Sequence, residues 1–176
     1  MQKKKQITIF GFILVLFAIT LSGCTQEDKQ PTLGYINQEY GFGLNPPASW
    51  TINENTQDLV KFFCPDQNDY QINLAIKKPV ISNETLNDVV EQLIEYYSHS
   101  FFKNFTQISS KPITVNSLNA YEIVYSEGQE PYLLQHKQVL IEDNNKIYSL
   151  TYISLVDTFD TYISVVDQSI NSFTII

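Results

Sequence analysis

Leu133-Leu134-Gln135-His136-Lys137-Gln138-Val139-Leu140-Ile141-Glu142-Asp143-Asn144-Asn145-Lys146-Ile147-Tyr148-Ser149-Leu150-Thr151-Tyr152-Ile153-Ser154 reads as two strand-like runs joined at a pair of asparagines. Asparagine tolerates the positive backbone angles of a tight turn, so Asn144-Asn145 folds run 133–141 back on run 147–154. So short a connection makes the two runs antiparallel neighbours. In the second run both alternate sets of side chains are apolar, the pattern of a sheet covered on both faces.

Working outward from this hairpin, further strand-like runs cover 35–38, 42–45, 50–53, 59–64, 108–115 and 120–126. Another alternates, with Tyr70, Ile72, Leu74 and Ile76 on one side and Gln71, Asn73 and Ala75 on the other. Two segments carry helical spacing. Leu86, Val89, Val90, Leu93, Ile94, Tyr97 and Phe101 follow Thr85, a capping hydroxyl with Asp88 three residues on. Phe159, Tyr162, Ile163, Val166 and Ile170 follow Asp157 and Thr158, which suit the positive end of a helix dipole. The expected fold class is α+β, an antiparallel sheet flanked by helices. With no repeat, charge block or second linker after Tyr35, one compact domain is expected over 35–176.

The amino-terminal segment reads as an address. Lys3, Lys4 and Lys5 precede an apolar run over 7–21, then Leu21-Ser22-Gly23-Cys24 and an abruptly polar stretch. The run is short of the ~20 residues a helix needs to span hydrocarbon, so residues 1–23 read as a secretory signal peptide rather than an uncleaved anchor. Leu21, Ser22 and Gly23 match signal-peptidase recognition, and the tetrad resembles the lipoprotein pattern in which Cys24 is joined to lipid. Residues 24–34 then form the lipidated cysteine and its tether; the ten residues after Cys24 reach ~33 Å at most. The expected place is the outer face of the cytoplasmic membrane or another envelope membrane.

Charge narrows the partners. All eleven basic residues are Lys, and removing residues 1–23, which hold three Lys and no acid, takes the net charge from −8 to −11. An acidic chain without a guanidinium is unsuited to nucleic acid and is repelled by anionic headgroups, so membrane attachment falls to the lipid on Cys24. Cys64, ending an apolar segment, then has no partner within the chain and reads as a buried, inert thiol.

Taken in order, Tyr35-Ile36-Asn37, Tyr40-Gly41-Phe42 and Pro46-Pro47-Ala48-Ser49-Trp50, then residues 146–152, the helix around Tyr162 and Ser172-Phe173-Thr174-Ile175, resemble the PsbP family. The resemblance covers nearly everything after the tether. It implies an α/β/α sandwich around a central antiparallel sheet. Family members in plants and cyanobacteria are extrinsic proteins at photosystem II, some binding calcium, and similar lipoproteins occur in prokaryotes without photosynthesis. Sharing a fold does not transfer an activity.

The catalytic inventory is thin. Beyond residue 23 the only glycines are Gly34, Gly41, Gly43 and Gly128, so no G-x-S-x-G elbow or phosphate-cradling loop exists. His99 and His136 have no second ligand at metal spacing and read as ordinary surface or half-buried residues; Cys64, His99 and His136 do not form a recognisable zinc pattern. Asp66 and Asp69 could offer oxygens to calcium, but no D-x-[DN]-x-[DN]-G loop surrounds them. Tyr121 with Tyr125, and Tyr148 with Tyr152, fall on common strand faces and read as core rows. Asn83 and Asn104 begin glycosylation sequons. The function expected is a non-enzymatic, lipid-anchored module without cofactor that binds a membrane-associated protein partner. The alternatives are a photosystem II accessory protein in a photosynthetic source, and a carboxylate-based hydrolase or calcium-binding protein.

Overall fold

The computed structural model describes residues 33–54, 56–66 and 70–176. The signal peptide, Leu21, Ser22, Gly23 and Cys24, most of the tether, and Asp69 lie outside the described residues. Among the described residues ten strands and two α-helices run in the order β1 (Tyr35–Asn37), β2 (Phe42–Leu44), β3 (Thr51–Asn53), β4 (Val60–Phe63), β5 (Asn73–Ile81), α1 (Leu86–Tyr96), β6 (Lys103–Val115), β7 (Leu118–Gln129), β8 (Tyr132–Asp143), β9 (Lys146–Leu155), α2 (Phe159–Asn171) and β10 (Thr174–Ile175). Seven form one antiparallel sheet in the order β3-β4-β5-β9-β8-β7-β6; β1, β2 and β10 form a small second sheet.

The β8–β9 hairpin sits near the middle of the large sheet, as the sequence predicts. Asn144 and Asn145 adopt φ of 48° and 40°, and Asp143 pairs with Lys146 across the turn. Because neighbouring residues on a strand point to opposite faces, the register sorts the side chains into two cores. Val139, Ile141, Tyr148, Leu150 and Tyr152 join Leu74, Ile76 and Phe62 beneath α2 and the small sheet. On the other face Leu140, Ile147, Ile123 and Tyr125 pack against Leu86, Val90 and Tyr97 of the α1 segment. The expected helix–sheet–helix layering is therefore present.

Phe42 ties the small sheet to this frame. It is fully buried, stacks on Phe173 with ring centroids 5.3 Å apart, and meets Tyr148 edge-on. Burial of one such ring contributes ~2–3 kcal/mol, enough to dock a three-residue strand that could not stand alone. Gly41, at φ 72°, turns the chain into β2, and its carbonyl accepts from the Ile176 amide.

The structure corrects several expectations. Tyr70 does not belong to the alternating strand: β5 begins at Asn73, and the Tyr70 ring packs instead on Tyr132 at 5.7 Å. The same strand continues to Ile81 through a register shift between Lys77 and Val80, where exposed Val80 and Ile81 give no alternation to read. β6 starts at Lys103 because an edge strand with mostly exposed side chains lacks a hydrophobic period; Pro112 is tolerated there for the same reason. Thr85 caps α1 by accepting from the Asp88 amide at 3.2 Å, as expected. Thr158 does not cap α2: its hydroxyl turns back to the Leu155 carbonyl within a short 3-10 turn.

Candidate functional site

The helical pattern predicted through Phe101 is interrupted. After Tyr96 the chain widens into a π-helical turn, Tyr97–Phe101, before extending into β6. A π turn adds a residue to the helical ring, rotates the side chains that follow, and occurs often at functional sites. Here it swings Tyr97 under the helix, where its hydroxyl donates to Gln138 Oε1 at 3.1 Å, while Phe101 stays 58% exposed.

Between this turn and the sheet lies a cavity of about 430 Å³. Its roof is Leu93, Tyr96, Tyr97, Phe101 and Phe102; its floor is Ala75, Tyr125, Leu134, His136, Thr151 and Ile153, from four strands. Tyr70, Glu127 and Gln129 close one side, and Asp58 and Lys77 line the other polar positions. The roof is mostly aromatic. Phe102 and Tyr125 lie 5.5 Å apart, Tyr97 and Tyr125 5.3 Å, and the exposed rings of Tyr96 and Phe101 touch at 5.4 Å.

Glu127 and His136 are the buried ionisable pair of this cavity, 5% and 4% exposed. His136 Nε2 lies 3.3 Å from Glu127 Oε1. A carboxylate only accepts, so Nε2 carries the hydrogen of this contact; in the neutral ring Nδ1 is then an acceptor. Nδ1 is buried and finds no partner among the described residues. Thr151 Oγ1 and Asn73 Oδ1 are likewise buried and unpartnered. All three stand on this face of the sheet: Ile153 of β9 is flanked by Asn73 and His136, and Thr151 is two residues before it. His136 and Thr151 line the cavity, whereas Asn73 lies beside it in the sheet and a fourth unpartnered atom, Ser169 Oγ, sits on α2; buried polar atoms are normally satisfied, so two orphans on one cavity floor set it apart from ordinary core.

Burial pushes the phenols of Tyr70, Tyr97 and Tyr125 up, and repulsion from Glu127 adds to the rise at Tyr70 and Tyr125. Their hydroxyls therefore remain protonated donors throughout the physiological range.

On the opposite face polar groups are tied together. Lys137 reaches both Glu122 and Asp167 of α2 at 2.7 Å, and Lys111 reaches Glu122 at 3.2 Å. Burial alone would raise the Glu122 carboxyl and lower the Lys137 ammonium. The ion pairs and hydrogen bonds outweigh it, leaving Glu122 below and Lys137 above its ordinary value. The Lys137–Asp167 pair holds α2 to the sheet.

The residues singled out in the sequence fall elsewhere. Asp66 is exposed and its carboxylate accepts from the Tyr162 hydroxyl at 2.5 Å. Cys64 is buried in the core beneath α2, on the far side of the sheet from His136, and His99 is exposed with Nδ1 on the Glu95 carbonyl at 3.0 Å. These three do not meet. Asn83 and Asn104 are exposed. His136 is the correction: expected at the surface or half-buried, it is a core-depth residue of the cavity. The missed signal is Gln129-Glu130-Pro131-Tyr132. Placing a turn there sets Tyr125 opposite His136 and Glu127 opposite Leu134, which brings the pair together on one face.

Residues 20–175 match the family described as PsbP-like protein, and the chain belongs to that family. Among solved structures, LpqN of Mycobacterium tuberculosis, described as involved in cell envelope biogenesis, superposes with a TM-score of 0.60 at 14% identity, covering 76% of this chain and 82% of its own. Cyanobacterial PsbP of Synechocystis sp. PCC 6803 gives 0.58 at 16% identity, over 81% and 91%. A Pseudomonas aeruginosa protein of unknown function gives 0.57 at 18%, over 76% and 90%. At these identities the likeness is one of fold. No curated protein matches the sequence.

Proposed function

We propose that this member of the PsbP-like family is a non-enzymatic ligand-binding module, held at the outer face of an envelope membrane by lipid on Cys24, that takes a small molecule in the cavity beneath α1. The observation that carries this reading is the coincidence of an aromatic-walled cavity with buried, unpartnered His136 Nδ1 and Thr151 Oγ1 on its floor. Such a site recognises by shape and by a few fixed polar groups, the arrangement general to small-molecule pockets. A ligand supplies the hydrogen bonds that the fold leaves unmade. The exposed rings of Tyr96 and Phe101 at the same cavity would let a membrane-associated partner sense whether the site is filled.

The lipobox supports the membrane address, and the fold likeness to LpqN, whose description places it in cell envelope biogenesis, is in keeping with it. Among the described residues no helix is long and apolar enough to cross a membrane, so in this reading the attachment rests on the lipid.

Amide-resolved NMR of the lipidated chain in detergent micelles, titrated with a mixture of small aromatic fragments, tests the cavity. Shifts concentrated at residues 97–102, Tyr125 and His136 are expected. Shifts confined to other surfaces, or none, would overturn the reading.

A further inference from the structure

We propose that the ligand of this cavity is a small organic cation, an amine that presents N–H donors to the floor and its apolar body to the aromatic walls. This rests on the reading of the cavity as a binding site and assigns the chemistry of its occupant.

Three features converge. First, the unmade hydrogen bonds ask for donors. With Nε2–H given to Glu127, His136 Nδ1 is left to accept when the ring holds a single proton, and Thr151 Oγ1 can accept beside it. Second, the charge of the cavity favours a cation. Glu127 is buried and contacts an imidazole rather than a lysine, whereas Asp58 is already paired with Lys61 at 3.1 Å. Lys77, the cation that lines the cavity, has an exposed side chain free to turn to water. Third, aromatic rings line the walls. Tyr96, Tyr97, Phe101, Phe102 and Tyr125 surround the space, and aromatic faces attract a desolvated cation through their quadrupoles. An anion meets the opposite case: the same faces repel it, as does a domain whose net charge after residue 23 is −11.

Isothermal titration calorimetry of the lipidated full chain at neutral pH with phenethylamine, 2-phenylethanol and phenylacetate tests the assignment. These probes share a ring and chain and differ in the terminal group. The amine is expected to bind about tenfold or more tightly than the alcohol, and the acid to give no binding heat. Glu127→Gln should reduce amine affinity by about tenfold and narrow the preference for the amine over the alcohol. Tyr96→Ala, at a half-exposed ring that the core does not need, should weaken the amine severalfold in a chain that unfolds at the wild-type temperature.

Alcohol or acid binding as tightly as the amine would overturn the cation assignment while leaving the cavity a ligand site. Absence of heat for all three at millimolar concentration would overturn it as well, and the fragment mapping would then decide separately whether the cavity binds anything.

Discussion

Tyr125 and His136 face each other across β7 and β8 with ring planes 10° apart and centroids 4.6 Å apart. The stack fixes the imidazole plane, so that one ring nitrogen meets Glu127 and the other is left buried and unpartnered. A fold seldom keeps such an arrangement for stability, because a buried polar atom without a partner costs about 1–3 kcal/mol. The Glu127–His136 pair is thus expected to stabilise less than an apolar replacement of similar size.

Replacing His136 alone by Leu strands the Glu127 carboxylate in the interior, a loss of about 3 kcal/mol. Glu127→Leu combined with His136→Leu removes the desolvation burden too, and the double variant should unfold at higher urea than His136→Leu. A double-mutant cycle from urea unfolding measures this. Additive single effects would show that the two side chains are uncoupled.

The cluster around Lys137 sets the pH limits. The Glu122 carboxyl lies lower in the folded chain than in the unfolded one, so its stabilisation is present above the unfolded value and lost as pH falls through the folded value. The Lys137 ammonium lies higher in the folded chain, so its stabilisation is complete below the unfolded value and lost as pH rises through the folded value. Thermal unfolding should therefore show a plateau between the carboxylate and lysine ranges. Glu122→Gln should lower the plateau and flatten its acid edge; an unchanged acid edge would assign that edge to other carboxylates.

The two helix starts should respond differently to the same change. Thr85→Ala deletes the bond to the Asp88 amide and is expected to cost about 1 kcal/mol. Thr158→Ala touches no cap bond and should cost a few tenths. Equal losses by chemical denaturation would contradict the difference in capping.

Lipid attachment at Cys24 predicts that Cys24→Ser releases the processed chain from the membrane, since an acidic domain has little electrostatic hold on anionic lipid. Fractionation with an antibody to the chain reads this directly. A cleaved Cys24→Ser chain that stays in the membrane at wild-type level would contradict lipidation.

Much of the fold is legible in the sequence because its signals are local. Asn144-Asn145 declares its hairpin, Thr85 its helix start, and the doubly apolar 148–154 run its place at the sheet centre. The edges are less legible, since β6 and the end of β5 take their form from a neighbour's ladder rather than from their own side chains. The cavity is least legible. It depends on the register of β7 against β8, which brings Glu127 to His136, and on a π turn whose residues carry an uninterrupted helical period. The aromatic residues read as core rows do reach the two cores: Tyr148 and Tyr152 are enclosed beneath α2, and Tyr125 is buried beneath α1, where it also floors the cavity.

The central claim is that the cavity beneath α1 holds a small molecule in the working protein. The decisive measurement is native mass spectrometry of the chain purified gently from its own cells, with Thr151→Trp as the variant that fills the space. A bound species of small-molecule mass is expected on the wild-type chain, released on unfolding and missing from Thr151→Trp. A wild-type chain with no non-covalently bound species, or the same adduct on Thr151→Trp, would contradict it.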